Sequence, residues 1–183
     1  MIIVLIGESA SGKSTIENII ANKYCFEKTV SYTTRPIREN ERDGVDYYFI
    51  SDEEYFDKFN NEFFVESGAY NGWFYGTTKE QYSAEKNIIC VLTPHGMRQI
   101  KRNLDNDNMK CFYIKTNRAK RLIKALERGD KVDEAIRRNQ SDVGQFDGVE
   151  DEVDFVIENN YESSEQLANK IVSLCGIEVN KKK

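Results

Sequence analysis

The sequence has few of the residues that build metal sites or disulfide frameworks. Its four cysteines lie far apart without a C-x-x-C pair, and His95 is its one histidine. We therefore expect no zinc site and reduced thiols, as in a cytoplasmic protein. The first apolar run, residues 2–6, has no basic leader and is too short to span a bilayer or to form a signal-peptide core. The sequence thus predicts a cytoplasmic protein without a membrane segment.

Net positive charge is also missing. The chain has 26 lysines and arginines against 31 aspartates and glutamates, which gives a net charge of −5. This balance provides no basic footprint for nucleic acid or an anionic membrane, so neither is expected as a partner. Any anionic ligand must be met by a local basic cluster. With 183 residues and 39% hydrophobic content, the chain predicts one domain over residues 1–183.

Apolar, β-branched runs alternate with segments of helical period along much of the chain. This alternation is typical of an α/β fold in which a parallel sheet is flanked by helices. The predicted strands cover residues 2–6, 28–32, 88–92, 110–115 and 153–157. The predicted helices cover residues 13–22, 94–103, 117–127 and 163–174.

Two stretches interrupt this rhythm. Residues 32–82 are rich in aromatic residues and indicate an inserted β-rich subdomain, in which Ser51 and Glu54 fit a capping box and Asn71-Gly72 fits a tight hairpin turn. Residues 128–151 are charged and contain several glycines, which suits a short helical lid. The core of the predicted domain then comprises residues 1–31, 83–127 and 152–178.

The first chemical motif lies at residues 7–14, where G-E-S-A-S-G-K-S fits the P-loop pattern G-x-x-x-x-G-K-[ST]. A buried strand precedes it and a helix follows, so its backbone N–H groups are expected to form an anion nest at a helix N-terminus. Lys13 would reach the β and γ phosphates of ATP, and the Ser14 hydroxyl would coordinate Mg²⁺. The predicted ATP site from this segment comprises Gly7, Glu8, Ser9, Ala10, Ser11, Gly12, Lys13, Ser14 and Thr15.

A second motif covers residues 31–49 and fits S-x-T-T-R-x-x-R-x-x-E-x-x-G-x-x-Y-x-F at every fixed position. It resembles the guanylate kinase family of P-loop nucleoside monophosphate kinases. Residues 64–66 (F-V-E) and 75–77 (Y-G-T) match two further acceptor-site segments of that family. The resemblance implies that the chain transfers the γ-phosphoryl group of ATP to GMP or dGMP with Mg²⁺. It leaves the choice between GMP and dGMP and the oligomeric state open.

The chemistry of these residues agrees with the resemblance. Arg35 and Arg38, three residues apart on one loop, can converge as planar forks on one phosphate. Tyr47 and Tyr75 can donate hydroxyl hydrogen bonds to the same phosphate while their rings exclude water.

Guanine presents adjacent N–H donors on one edge, which a carboxylate can accept together. Glu66 is the candidate reader, and Ser31 and Thr77 would supply hydroxyl contacts. The alternative is that strand alternation turns Glu66 outward into solvent. By the resemblance, Gly76 and Thr93 complete the acceptor site.

The resemblance also implies that lid arginines fold over the transferred phosphoryl group. Arg128 is assigned to this role together with one of Arg137 and Arg138, and all three arginines are placed in the ATP site. The predicted catalytic residues are Lys13, Arg35, Arg128 and Arg138. One departure is that Val91 and Thr93 stand where the family carries aspartates.

The sequence also allows two alternatives to guanylate kinase activity. A non-catalytic binding module of the same fold would be expected to lack the phosphate-site residues, whereas Gly12, Lys13 and Ser14 are intact here. A kinase with another small phosphorylated acceptor is the second alternative, because the aspartates are missing.

Overall fold

The computed structural model describes residues 1–39, 41–83, 85–104, 107–159 and 162–179. The strands are β1 (Ile2–Ile6), β2 (Glu27–Lys28), β3 (Tyr32–Thr33), β4 (Tyr48–Phe49), β5 (Glu66–Tyr70), β6 (Trp73–Thr77), β7 (Ile88–Val91), β8 (Met109–Lys115) and β9 (Phe155–Glu158). The helices are α1 (Lys13–Tyr24), α2 (Asp52–Asn60), α3 (Pro94–Asn103), α4 (Arg118–Glu127), α5 (Val132–Ser141) and α6 (Ser164–Leu174). Within these ranges, no helix combines the length and apolar character needed to cross a bilayer.

The central sheet has five parallel strands in the order β2-β7-β1-β8-β9. Strand β1 lies in the middle and all five of its residues are buried, as expected for a β-branched run covered on both faces. Its even and odd residues therefore enter two different cores. Ile3 and Leu5 pack in one core with residues of α1 and α6, and Val4 packs in the other with residues of α3.

A second sheet has the strand order β4-β3-β6-β5, with β5 and β6 antiparallel. The predicted hairpin is confirmed, because Asn71 and Gly72 adopt φ values of 55° and 84° between these strands. The predicted capping box is also confirmed: Ser51 and Glu54 exchange hydrogen bonds at the start of α2. Buried Tyr55 of α2 stacks on Phe64, which precedes β5, and on Phe74 of β6, with ring centroids 5.1 Å apart in both pairs.

The predicted strand over residues 28–32 is wrong, because this segment passes from one sheet to the other. Glu27 and Lys28 pair with β7, whereas Tyr32 and Thr33 pair with β4 and β6. Between them, the side-chain amide of Gln81 accepts from the Val30 N–H at 2.7 Å and donates to the Val30 carbonyl at 3.1 Å. A side chain thus replaces a strand neighbour for Val30, so that both of its backbone polar groups are paired where the chain crosses.

Most other boundaries lie within two residues of the predictions. Strand β9 begins at Phe155 instead of residue 153, and α4 begins after Asn117, whose side chain caps it. The mixed α/β class with a helix-flanked parallel sheet is confirmed.

Replacing Leu5 by alanine is expected to destabilise the fold strongly. Leu5 is 0% exposed in the central strand, and a Leu→Ala change at such a site costs about 2–5 kcal/mol through lost burial and the remaining cavity. Leu126→Ala is the matched control, since Leu126 is 46% exposed and its replacement should cost less than about 1 kcal/mol. Urea unfolding of both variants measures the difference, and equal losses would contradict the assignment of this core.

Candidate active site

The P-loop connects the carboxyl end of β1 to the N-terminus of α1. Ala10 and Gly12 have left-handed backbone conformations, with φ values of 59° and 98°. Among the described side chains none caps α1, so its first N–H groups stay available. A loop of this shape at a helix N-terminus binds anions through backbone N–H groups.

Contacts with the central sheet fix this loop. A Cβ atom on Gly7 would lie 2.7 Å from the Ile114 carbonyl oxygen, so only glycine allows this approach. The Ser11 carbonyl accepts from Asn159 Nδ2 at 2.7 Å and from Thr116 Oγ1 at 3.1 Å. Sequence reasoning missed Asn159 and Thr116. Asn159 directly follows β9, and Thr116 directly follows β8. Because the carboxyl ends of neighbouring parallel strands meet at one edge of the sheet, their positions after predicted strands could have indicated that they lie near the P-loop.

Lys13 lies folded over the loop. Its ammonium group donates to the carbonyl oxygens of Gly7 at 2.6 Å and Glu8 at 2.9 Å. Burial lowers the pKa of Lys13 from 10.5 to about 8, although the carboxylates of Asp142 and Glu8 act in the opposite direction. The residues that follow, Ser14 and Thr15, are exposed on the first turn of α1.

The two predicted acceptor arginines lie on the loop after β3, next to one carboxylate. Arg35 is buried and donates to Glu41 at 2.7 Å and to the Pro36 carbonyl at 2.9 Å. The guanidinium of Arg38 lies 3.9 Å from Glu41 and is more exposed. The Arg35 guanidinium also lies 5.1 Å from the centre of the Tyr47 ring. One carboxylate therefore orients both guanidinium groups.

Tyr47 and Tyr75 lie near Arg35, and further residues of the predicted acceptor site follow along the chain. The rings of Tyr47 and Tyr75 have centroids 6.0 Å apart. Burial, and after it the electrostatic effect of Tyr75, raises the pKa of Tyr47 to about 12. Tyr47 therefore keeps its hydroxyl proton as a donor at neutral pH. Ser31 uses its carbonyl to accept from the Tyr48 N–H at 2.9 Å. A Cβ atom on Gly76 would lie 2.8 Å from the Phe64 ring, so this position needs glycine.

Glu66 points into the protein, so the alternative that it faces solvent is wrong. The residue is 6% exposed, and one carboxylate oxygen accepts from the Thr77 hydroxyl at 2.7 Å. The other oxygen lies where a Cβ atom on Gly96 would approach to 2.6 Å, so the first turn of α3 closes over it. Burial raises the pKa of Glu66 from 4.5 to about 7, while hydrogen bonds from Thr77 limit the rise.

Thr93 and His95 have local structural roles. The Thr93 hydroxyl oxygen accepts from the Gly96 N–H at 3.0 Å and caps α3, with Pro94 at the first helical position. His95 is exposed, and its Nε2 lies 2.9 Å from the Gln99 amide nitrogen. Gln99 in turn accepts from the Ser67 N–H at 2.6 Å.

The lid arginines separate into two directions. Arg128 and Arg138 both pair with Asp130, at 3.1 Å and 3.4 Å, and line a narrow cleft with Ser9 of the P-loop. Arg138 is 15% exposed and its buried Nε makes no hydrogen bond with the described residues. Arg137 points to the insert instead, where it donates to the Asn71 carbonyl at 3.1 Å.

The charges of lid arginines act on an arginine of the insert. The pKa of Arg38 is lowered, first by burial and then by the charges of Arg138, Arg35 and Arg128. Mutual repulsion of this kind is relieved when an anion enters. Arg38 is thus within reach of the charges of Arg35, Arg128 and Arg138, whereas Arg137 is directed to the hairpin.

Arg121 and Asp142 form a buried ion pair beside the P-loop that sequence reasoning missed. Their side chains are 7% and 1% exposed and lie 3.0 Å apart. Arg121 also lies 3.6 Å from Glu8. Arg121 lies on α4 and Asp142 directly follows α5, 21 positions away, and no periodic signal in these charged segments distinguishes the two from solvated side chains.

The described residues contain no group of three or more histidine, cysteine, aspartate or glutamate side chains that could hold a metal ion. Ser14 is the predicted metal ligand on the P-loop side. Mg²⁺ commonly binds through one or two protein ligands together with substrate phosphates and water, so an exposed hydroxyl next to Lys13 fits this requirement.

Known proteins of one family match this chain. The family model described as guanylate kinase matches residues 1–173. The guanylate kinase of Fusobacterium nucleatum is 30% identical over 176 residues, which is 93% of each chain. The guanylate kinase of Chlorobaculum tepidum is 30% identical over 165 residues, 87% of this chain and 84% of the other.

A solved structure shows the same fold. The crystal structure of guanylate kinase from Anaplasma phagocytophilum has a TM-score of 0.72 and 21% sequence identity, covering 96% of this chain and 84% of the other.

Glu66 is expected to make stability fall as the pH rises. The pKa of Glu66 is about 7 in the folded chain and 4.5 when the carboxyl group is fully solvated, as in the unfolded chain. Its contribution to stability is therefore fully present below pH 4.5 and is lost as the pH rises through 7. Relative to Glu66→Gln, the wild-type chain should lose roughly 2–4 kcal/mol of unfolding free energy over this interval.

Urea titrations at a series of pH values measure this difference. Glu17, whose pKa burial also raises to about 7, is present in both proteins, so its effect cancels. Parallel pH profiles of the wild-type chain and Glu66→Gln would contradict the assignment.

Proposed function

This chain belongs to the guanylate kinase family, and we propose that it transfers the γ-phosphoryl group of ATP to GMP or dGMP, giving ADP and GDP or dGDP. The observation that carries this proposal is that two sites of different chemistry are joined by one strand. The first site is the P-loop with Lys13, and the second contains the buried carboxylate of Glu66 at the start of β5, whose last residue, Tyr70, lies 3.3 Å from Ser9 of the P-loop.

The donor side would bind ATP through backbone groups. The inward N–H groups of the P-loop and the N-terminus of α1 would hold the phosphates, and Lys13 would exchange its two carbonyl partners for phosphate oxygens. Burial lowers the pKa of Lys13, and the negative phosphate oxygens would raise it again by favouring the charged ammonium form. Mg²⁺ would arrive with ATP, and Ser14 would supply the protein ligand; when bound, the ion neutralises charge on the phosphate oxygens.

The acceptor side would recognise both ends of the nucleotide. Arg35 and Arg38, oriented by Glu41, would clamp the acceptor phosphate together with the hydroxyl groups of Tyr47 and Tyr75. Glu66 would accept both N–H donors of the guanine edge. Adenine has an acceptor at the corresponding ring nitrogen, so it would leave the buried carboxylate unpaired.

The reaction itself would depend on position and charge. Phosphoryl transfer needs the two phosphates in line and the developing charge neutralised. Arg128 and Arg138 of the lid, residues 128–151, would approach the transferred group opposite Arg35 and Arg38 of the insert, residues 32–82. Closure of both segments over the nucleotides would exclude the water that otherwise accepts the phosphoryl group.

A panel of acceptors tests this function. With ATP and Mg²⁺ in a coupled assay, the chain should phosphorylate GMP or dGMP and leave AMP, UMP and CMP nearly unreacted. Glu66→Gln should reduce kcat/KM for GMP roughly thirtyfold to a thousandfold, because about 2–4 kcal/mol of charged hydrogen bonding is lost.

Binding of an ATP analogue should be retained in Glu66→Gln, since the P-loop lies outside the acceptor pocket. Preferred turnover of another monophosphate, or an unchanged kcat/KM for GMP in this variant, would contradict the assignment.

Neighbouring lid arginines should differ in their effect on turnover. Arg138→Ala is expected to reduce kcat roughly 10²–10³-fold, because a preorganised donor aimed at the cleft is lost. Arg137→Ala removes the same groups from a side chain that contacts Asn71 and Trp73, and should reduce kcat by less than about tenfold. Single-turnover kinetics of the pair provide the measurement, and the reverse order would refute these roles.

A further inference from the structure

Asp142 is a buried carboxylate at which three parts of the chain meet. It directly follows α5. Its Oδ2 accepts from the Ser9 N–H at 2.9 Å and from Arg121 Nη1 at 3.0 Å, and its Oδ1 accepts from the Tyr70 hydroxyl. The donors belong to the P-loop, to α4 and to the last residue of β5. Asp142 thus joins the lid and the ATP site to the acceptor insert.

Further contacts hold the tip of the β5-β6 hairpin in the same place. The Tyr70 hydroxyl lies 3.3 Å from Ser9 Oγ, and Asn71 Nδ2 lies 3.4 Å from that oxygen. On the other side, the Arg137 guanidinium donates to the Asn71 carbonyl and lies 5.0 Å from the centre of the Trp73 ring. The hairpin tip therefore contacts both the P-loop and the lid.

The hairpin also carries the candidate base-reading residue. Glu66 begins β5 and Tyr70 ends it, so the two lie about 13 Å apart along one strand. All five residues of β5 pair with β6, which makes the hairpin a rigid unit. A shift of Tyr70 relative to Ser9 therefore shifts Glu66, and any acceptor bound there, relative to the P-loop.

The carboxylate can be buried here because its charge is matched. Arg121 supplies the positive charge and is itself held by the Thr116 carbonyl at 3.2 Å. The negative charge strengthens the bonds from Ser9 and Tyr70 beyond those of a neutral acceptor. A substitution that keeps the Tyr70 ring but removes its hydroxyl would break the link to the hairpin and leave the ion pair intact.

Building on the phosphoryl transfer proposed above, we propose that Asp142 is a positioning residue that joins Tyr70 of the acceptor hairpin to Ser9 of the P-loop and so sets the distance between the two substrate sites when the insert and the lid are closed. It acts through these two residues and touches neither nucleotide. Because misplacement of reacting groups by about 1 Å can cost about a hundredfold in rate, the link acts on turnover more than on the binding of either substrate.

Tyr70→Phe tests this role with the loss of one oxygen atom. We expect kcat to fall roughly tenfold to a hundredfold, while KM for ATP and for the acceptor changes less than about threefold, since each site keeps its own ligands. Tyr48→Phe is the matched control on the same insert, where Tyr48 is 37% exposed, and its kcat should equal that of the wild-type chain.

A double-mutant cycle identifies Asp142 as the partner. Asp142→Asn and the double variant Tyr70→Phe/Asp142→Asn should have nearly the same kcat, because both lack the charged link. If Asp142→Asn no longer unfolds cooperatively, the double-mutant cycle cannot be interpreted, and the kcat of Tyr70→Phe alone decides the proposal. A kcat of Tyr70→Phe within twofold of wild type, or effects of the two substitutions that multiply, would overturn it.

The acceptor in these assays is the nucleoside monophosphate that the wild-type chain turns over fastest. Wild-type turnover of GMP reports on the proposed function, whereas the ratio of Tyr70→Phe to wild type reports on Asp142. Turnover of another acceptor with the expected ratio would reject guanylate specificity and support the positioning role. A wild-type chain that phosphorylates no acceptor would overturn both.

Discussion

The candidate chemistry depends on the close approach of the P-loop backbone to the carboxyl ends of the central strands. Gly7 leaves no room for a side chain against the Ile114 carbonyl, and the Ser11 carbonyl is held by residues that directly follow β8 and β9. These contacts fix the direction of α1 and therefore of its N–H groups. The anion site is thus a property of the sheet edge, and the loop sequence alone would not hold its shape.

The second constraint is the concentration of positive charge in a protein of net charge −5. Arg35 and Arg38 come from the insert and Arg128 and Arg138 from the lid, and the charges of the other three all act on Arg38. Glu41 and Asp130 each bind guanidinium groups from the side, which orients them and offsets part of their repulsion. The grouping of these arginines therefore supplies the positive charge that an anionic ligand needs, although the whole chain is negatively charged.

Features encoded by contiguous residues could be predicted from the sequence, and features made by distant residues could not. The P-loop, the Ser51–Glu54 capping box and the Asn71-Gly72 turn are local patterns whose geometry follows from a few neighbouring residues. The crossing at Val30 depends on Gln81, 51 positions away, and so escaped prediction. Arg137 and Arg138 are adjacent, but one residue turns a helix by about 100°, so only the packing of α5 separates their directions.

The lowered pKa of Lys13 has a consequence for the thermodynamics of nucleotide binding. With a pKa of about 8, roughly half of these ammonium groups lack their proton at pH 8. A polyphosphate placed beside Lys13 favours the charged form, so binding at that pH draws a fraction of a proton from the buffer. The heat of binding would then include the ionisation enthalpy of the buffer, and nucleotide affinity would weaken as the solution becomes more alkaline.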